Sequence, residues 1–219
     1  MRKILFICIS ITILLAGCNL LSFEKDISEM DPKDLPDVPV FQDDFTREFM
    51  ASTEEVEDDY YVFQSKTGGY TMMYPRDAKM NPRYYEINNE YFESIRFGSD
   101  HEEITGDTYS VRMMYYKGEK AKDHKRVQRH LDNLIDYNGD YEKTEYQDKI
   151  IYYATKKFIP QDTEGIDYDF FGVIKSKSSD QAISYLYTIY CDKGCNYDEG
   201  RIEQHVKKLM NSIEFINED

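Results

Sequence analysis

Hydrophobic and polar residues alternate along this chain in two rhythms. From Tyr60 the rhythm is short. YYVFQSK (60–66) and GYTMMYP (69–75) read as strands joined through Thr67-Gly68, with Gly69 close behind, as in a hairpin. Pro75 and Pro82 bracket a loop through RDAKMN. YFESIRF (91–97) and TYSVRMMYY (108–116) follow, and in the first Phe92, Ser94 and Arg96 alternate with Tyr91, Ile95 and Phe97. From Glu119 to Asp136 the rhythm lengthens: Ala121, Val127, Leu131, Leu134 and Ile135 fall on one face of a helix. Strand rhythm returns in KTEYQ (143–147), IIYYATKKFI (150–159), FFGVIKSK (170–177) and AISYLYTIYC (182–191). The last element is helical, with Ile202, Val206, Leu209, Met210 and Ile213 at steps of three and four. Asn196 and Glu199 have capping-box spacing, and Asp198 is an alternative cap. This order predicts an α+β fold: an antiparallel β-sheet of about six to eight strands flanked by helices.

The first residues follow neither rhythm. Met1-Arg2-Lys3 is positive, and the apolar run from Ile4 to Ala16 is 13 residues long. A bilayer-spanning helix needs roughly 20; a charged start and a short apolar core before small residues mark a secretory signal peptide. Leu15-Ala16-Gly17-Cys18 resembles the lipobox of bacterial lipoproteins. That resemblance implies a diacylglyceryl group on the Cys18 sulfur and cleavage after Gly17, giving a membrane anchor on the extracytoplasmic face. An ordinary signal with a chance cysteine, or an uncleaved anchor, is the competing reading.

Charge divides what remains. Residues 19–59 hold 14 Asp and Glu against three Lys and Arg, whereas residues 60–219 hold 28 against 22. Low hydrophobicity, prolines and like charge predict a solvated tether. The expected organisation is a cleaved signal peptide (1–17), a lipidated acidic flexible tether (18–59) and a globular domain (60–219). Val38, Val40, Phe41 and Phe45 allow an alternative in which residues 38–50 dock on the domain. An acidic exported chain lacks a nucleic-acid-binding signature.

Two resemblances refine this picture. GGYTMMYP, a helix after four strands, an antiparallel meander and a final helix running into MNSIEF resemble the PsbP/Mog1-like fold, which implies an α/β/α sandwich. MDPKDLPDVPVFQDDFTREFMAST, SKTGGYTMMYP and KKLMNSIEF resemble YvcA-type lipoproteins of bacilli. The second resemblance implies a surface lipoprotein linked to colony or biofilm architecture. It carries no catalytic residues across.

Candidate chemistry is sparse. GxSxG, HExxH, P-loop, GxGxxG and CxxC signatures are absent from the sequence, so no catalytic residue, metal ligand or cofactor is assigned. Once Cys8 leaves with the signal and Cys18 carries lipid, Cys191 and Cys195 remain, and in an exported protein they are expected to pair as a disulfide. A redox pair, a metal site with His205, and free thiols are the alternatives. His124 and His130 are six apart on one helix and cannot share a metal as an i, i+4 pair does, so both read as solvated. DTEGIDYD (162–169) reads as a solvated hairpin loop, with calcium binding as the alternative.

Lys120, Lys122, Lys125, Arg126, Arg129 and His130 give the first helix a cationic face in an acidic protein. Lys122, Lys125, Arg126 and Arg129 are therefore the candidate partner-binding residues, for an envelope protein, a lipid head group or an anionic wall polymer. The competing reading is a face balanced by neighbouring carboxylates. The 20 tyrosines, with no tryptophan, suit half-buried strands more than a sugar-stacking platform. The function expected is non-catalytic binding or scaffolding at the cell envelope. A small-ligand carrier with a pocket between sheet and helix, or an enzyme with an unrecognised site, are the alternatives.

Overall fold

A computed structural model of the chain describes residues 26–99, 108–160, 165–191 and 198–217. In chain order its elements are two single-turn helices, α1 (Pro39–Gln42) and α2 (Asp44–Arg47), then β1 (Tyr60–Gln64), β2 (Tyr70–Pro75), β3 (Lys79–Met80), β4 (Glu86–Asn88), β5 (Phe92–Ser99) and β6 (Thr108–Lys117). There follow α3 (Glu119–Lys122), α4 (His124–Ile135), β7 (Glu142–Glu145), β8 (Lys149–Phe158), β9 (Ile166–Ser176), β10 (Gln181–Cys191), α5 (Glu199–Asn211) and β11 (Glu214–Phe215). The fold is α+β.

All pairings are antiparallel. An eight-stranded sheet runs β3-β5-β6-β10-β9-β8-β7, with β4 also on β5, and a small sheet runs β1-β2-β11. β3 and β4 share one edge of β5, meeting Phe97–Gly98 and Phe92–Ser94 respectively. The two faces of the large sheet are covered unequally. One carries Ile95, Val111, Met113, Tyr115, Tyr185, Tyr187 and Phe170 into the main core, beneath α5, the small sheet and residues 27–50. The other packs Met114, Tyr116, Ala154, Phe171, Val173 and Ala182 against Ala121, Val127 and Leu131 of α3 and α4. Ten tyrosines are buried among the described residues, which is the sheet-packing use of this residue.

Local chemistry explains the ends of the elements. Asp198 caps α5, accepting from Arg201 N–H at 3.1 Å, while Asn196 lies outside the described residues. The single helix expected over 119–136 is broken at Asp123. That residue has an extended backbone and accepts from Lys125 N–H, so it ends α3 and caps α4. Asp136 closes α4 in the left-handed region (φ 49°), and the Lys156 ammonium donates to the Ile135 and Asp136 carbonyls at 2.6 and 2.8 Å. A cation at a helix C-terminus suits the dipole.

The β1–β2 turn explains the TGG motif. Gly68 has φ +70°, a conformation glycine adopts without strain. Gly69 lies against the ring of Tyr115, whose hydroxyl meets Gln181 Nε2 at 3.1 Å. Beside the turn, buried Glu93 accepts from Ser65 Oγ at 2.6 Å and from Lys66 N–H at 3.0 Å, tying the hairpin to β5. A methyl at position 69 would overlap the Tyr115 hydroxyl and ring. Gly69→Ala is therefore expected to cost about 1–3 kcal/mol, the usual range for overpacking. Urea denaturation checks this: an unchanged midpoint would mean that the ring yields freely.

The tether reading over 18–59 needs correction for the part described. Leu35, Val40, Phe41, Phe49 and Met50 are buried in the main core, and Ile27, Met30, Val38 and Phe45 pack against it. Docking of 38–50, the alternative left open by the sequence, is what occurs, and it begins earlier than expected. Residues 18–25 lie outside the described residues.

Candidate binding face

α3 and α4 pack on their face of the large sheet over β6, β10 and β9. Two rows of residues show where the cover stops. Arg96, Arg112, Leu186, Phe171 and Ala154 stand opposite one another across β5, β6, β10, β9 and β8. Phe171 and Ala154 lie in the core under α4. Arg96 and Arg112 lie beyond it, and both are half-buried. The next row, towards the free end of the strands, is Gly98, Ser110, Thr188, Asp169 and Lys156. It is polar, and within it Thr188 and Asp169 are buried and hydrogen-bonded to each other.

Arg96 is held in place. Its Nε donates to Ser110 Oγ at 2.9 Å, its Nη2 to Tyr190 Oη at 3.4 Å, and its guanidinium lies 4.9 Å from the centre of the Tyr84 ring. Among the described residues, neither Arg96 nor its cross-strand neighbour Arg112 has a carboxylate within 4 Å. Like charges directly opposed on neighbouring strands are destabilising. Asp169, in the adjacent row, is only 5 % exposed and accepts from Thr188 Oγ1 at 2.6 Å. Burial pushes its carboxyl up to about 6, against the pull of the Thr188 hydroxyl and Lys156.

Three open depressions meet at Arg96. The largest, about 910 Å³, curls round the β5 edge past Lys79, Arg83 and Tyr190 towards Asp37, Asp43 and Asp77. A second, about 430 Å³, lies between the end of α4 (Leu134–Asp136) and the polar row, and Arg112 and Leu186 line it too. A third of about 430 Å³ joins Arg83, Tyr84, Glu86, Arg96 and Arg112.

The residues singled out from the sequence lie elsewhere. Lys122, Lys125, Arg126 and Arg129 are exposed on the outer side of α3 and α4. Lys122 pairs with Glu119 and lies 3.9 Å from Asp180; Arg129 lies 3.8 Å from Asp123. Half of that face is thus balanced by carboxylates, and Lys125 and Arg126 are left without an ion pair among the described residues. His124 is not simply solvated: it stacks on Tyr152 at 4.3 Å, and burial lowers its pKa. His205 is buried, shares a 2.8 Å hydrogen bond with Tyr60 through Nδ1, and is lowered to about 4, chiefly by burial. Of the 162–169 segment, Asp167 and Asp169 belong to β9 rather than a loop, and 161–164 lie outside the described residues. Cys191 ends β10 in a disulfide; Cys195, its expected partner, and Cys18 lie outside the described residues.

The family model described as "Putative lipoprotein YvcA" matches residues 36–214. A protein of Bacillus subtilis (strain 168) with the same description is 36% identical, across 99% of this chain and 98% of its own length. The chain belongs to the YvcA lipoprotein family. Two solved structures are similar at low identity. The Ran-binding protein Mog1p of Saccharomyces cerevisiae has a TM-score of 0.47 at 12% identity, over 71% of this chain and 94% of that one. A point mutant of protein Mog1 has 0.48 at 11%, over 72% and 96%.

The matched YvcA region begins at residue 36, within the segment that docks on the core. The Arg96–Arg112 pair was missed from sequence, where the alternation in YFESIRF set only Arg96 apart from Ile95 and Phe97. Its signal, two arginines opposed across β5 and β6, exists only once the long-range register is known. The cationic helix face was legible because its charges repeat locally.

Proposed function

We propose that this YvcA-family protein is a lipoprotein anchored through a diacylglyceryl group on Cys18, with its folded part on the extracytoplasmic face of the cell membrane. Its role is non-catalytic: binding or scaffolding at the cell envelope, within colony or biofilm architecture. Leu15-Ala16-Gly17-Cys18 and the family description support the anchor. The observation that carries the binding role is that a held arginine, Arg96, and a second arginine, Arg112, stand opposed across β5 and β6 and line open depressions. We read Cys191 as bonded to Cys195, closing the short connection from β10 to α5. Since the N-terminal segment packs on the domain, the anchor connects through few residues and holds the domain near the membrane.

A second reading, a small-ligand carrier, is favoured by the depression between the end of α4 and the sheet, whose size of about 430 Å³ falls within the usual range for ligand sites. Mass spectrometry of protein extracted from the membrane fraction tests the first reading. The mature chain is expected to begin at a lipid-modified Cys18, its non-reduced digest to join the Cys191 and Cys195 peptides, and Cys18→Ala to leave the membrane fraction. An intact Met1 with Cys18→Ala still membrane-bound would reject the anchor. Two alkylatable thiols would reject the disulfide. A small molecule retained in the native mass spectrum would favour the carrier.

A further inference from the structure

We propose that Arg96 and Arg112 form an oxyanion site that holds the phosphate groups of an anionic phosphodiester polymer. This rests on the envelope-binding reading and gives it a ligand class. The protein has a formal net charge of −15, so a basic side chain has carboxylates in abundance to pair with, and many do. Lys207 takes Glu142 and Glu203, Lys208 takes Glu57, Arg76 takes Asp59, and Lys157 takes Glu199. Arg96 and Arg112 stand directly opposite each other and take none among the described residues. The chain thus keeps two like charges opposed across β5 and β6. A bound anion converts that repulsion into attraction.

The geometry is prepared for such a ligand. Ser110, Tyr190 and the Tyr84 ring hold the Arg96 guanidinium. Two of its five donors are used, which leaves three. A fork of parallel N–H groups matches phosphate oxygens, and a pre-organised fork loses little freedom on binding. Asp169 does not cancel the pair. Its carboxylate is committed to Thr188 and stands opposite Lys156, one row further along. Glu86 in the third depression, Asp136 in the second, and the three aspartates of the large cleft limit the site to the Arg96–Arg112 junction.

The shape argues for a chain of phosphates rather than one. Three depressions share Arg96 and two share Arg112, while exposed Arg83 continues the positive track over the β4 edge. An open track offers little enclosure to a lone anion but admits a flexible polymer, whose successive charges each find an arginine. Screening should weaken such binding as salt rises.

The test titrates the mature lipoprotein in detergent micelles with a glycerol phosphate polymer, with inorganic phosphate, and with dihexanoyl phosphatidylglycerol, by calorimetry. The polymer is expected to bind, to bind more tightly than inorganic phosphate, and to weaken at high salt. Arg112→Gln and Arg96→Gln are each expected to weaken it about tenfold, and Arg112→Lys less. Arg112→Gln should leave the thermal midpoint equal or higher, since it removes a like-charge contact; this separates lost binding from lost folding. The proposal is overturned if Arg112→Gln binds like the parent, or if Lys125→Gln/Arg126→Gln loses the polymer instead. Tighter binding of the short-chain lipid would transfer the site to a head group and reject the polymer. If no probe binds while the lipidated Cys18 is confirmed, this inference fails and the lipoprotein reading stands.

Discussion

Replacing Phe41 with alanine is expected to cost about 3–5 kcal/mol, the range for deleting a buried aromatic ring. Phe41 is 0 % exposed and lies edge-on to Tyr61, with ring centres 4.8 Å apart. The segment around it is tied down at several points. Val40 N–H donates to the Arg76 carbonyl at 3.0 Å, and Arg47 Nη1 reaches the Phe41 carbonyl at 2.9 Å. Thr46 Oγ1 receives Met80 N–H at 2.8 Å, and Met50 bridges to Phe63 of β1. A ring removed here leaves a cavity that these ties keep from collapsing. A domain of this size has only about 5–15 kcal/mol in all, so the urea midpoint should fall steeply. A free tether would give the opposite result: Phe41→Ala would denature like the parent, and the docked N-terminal segment would be refuted.

The same segment shows what could and could not be seen in the sequence. The strand meander, the hairpin at Thr67-Gly68 and the α5 face were legible because each rests on local periodicity and turn chemistry. The acidic stretch was misread because its carboxylates looked like solvated repulsive charge. In the structure they cap turns. Asp26 accepts from Ser28 N–H, Asp31 from Lys33 N–H, and Asp43 from Thr46 N–H. Pro32 and Pro39 then occupy first helical positions, where a missing N–H costs nothing. Asp31-Pro32 is thus a cap and a first helical position in one step, whereas Pro39 follows Val38, which has no capping side chain. The turns are too short for their apolar residues to show a period, so Val38, Val40, Phe41 and Phe45 suggested docking of 38–50 only as an alternative, and Leu35 was not read at all.

Composition also hid the short strands. β3, β4 and β11 are two or three residues each, and they exist because a neighbour offers an open edge: β5 for the first two, β2 for the last. No propensity argument reaches that. The opposed arginines share this difficulty. Alternation in YFESIRF placed Arg96 on the face away from Ile95 and Phe97, which holds. Which residue stands across from it depends on a pairing closed over a separate stretch of chain.

Asp169→Asn is expected to stabilise the protein by about 3 kcal/mol at pH 7.5 and by only about 1 kcal/mol at pH 4.5, from a carboxyl moved from 3.8 to about 6. The folded-state value lies above the unfolded one. Between the two, the folded protein binds the extra proton, so stability rises as pH falls through 6, and the ionised carboxylate is costly at higher pH. Asparagine can still accept from Thr188 Oγ1, so the substitution removes the charge without removing the hydrogen bond. His205 works in the opposite direction. Its value falls from 6.5 to about 4 through burial, assisted by Lys208 and Arg201, so stability is lost as pH falls through that window. Glu93, raised by burial, adds to the Asp169 slope. The parent protein therefore has opposing slopes in mildly acidic solution, and Asp169→Asn unmasks the histidine. Denaturation midpoints of both proteins at the two pH values measure the difference, about 2 kcal/mol. Identical pH dependence would show that Asp169 does not ionise at a cost. A variant stabilised at neutral pH would mean that the buried Asp169 carboxylate ionises at a cost to the folded protein.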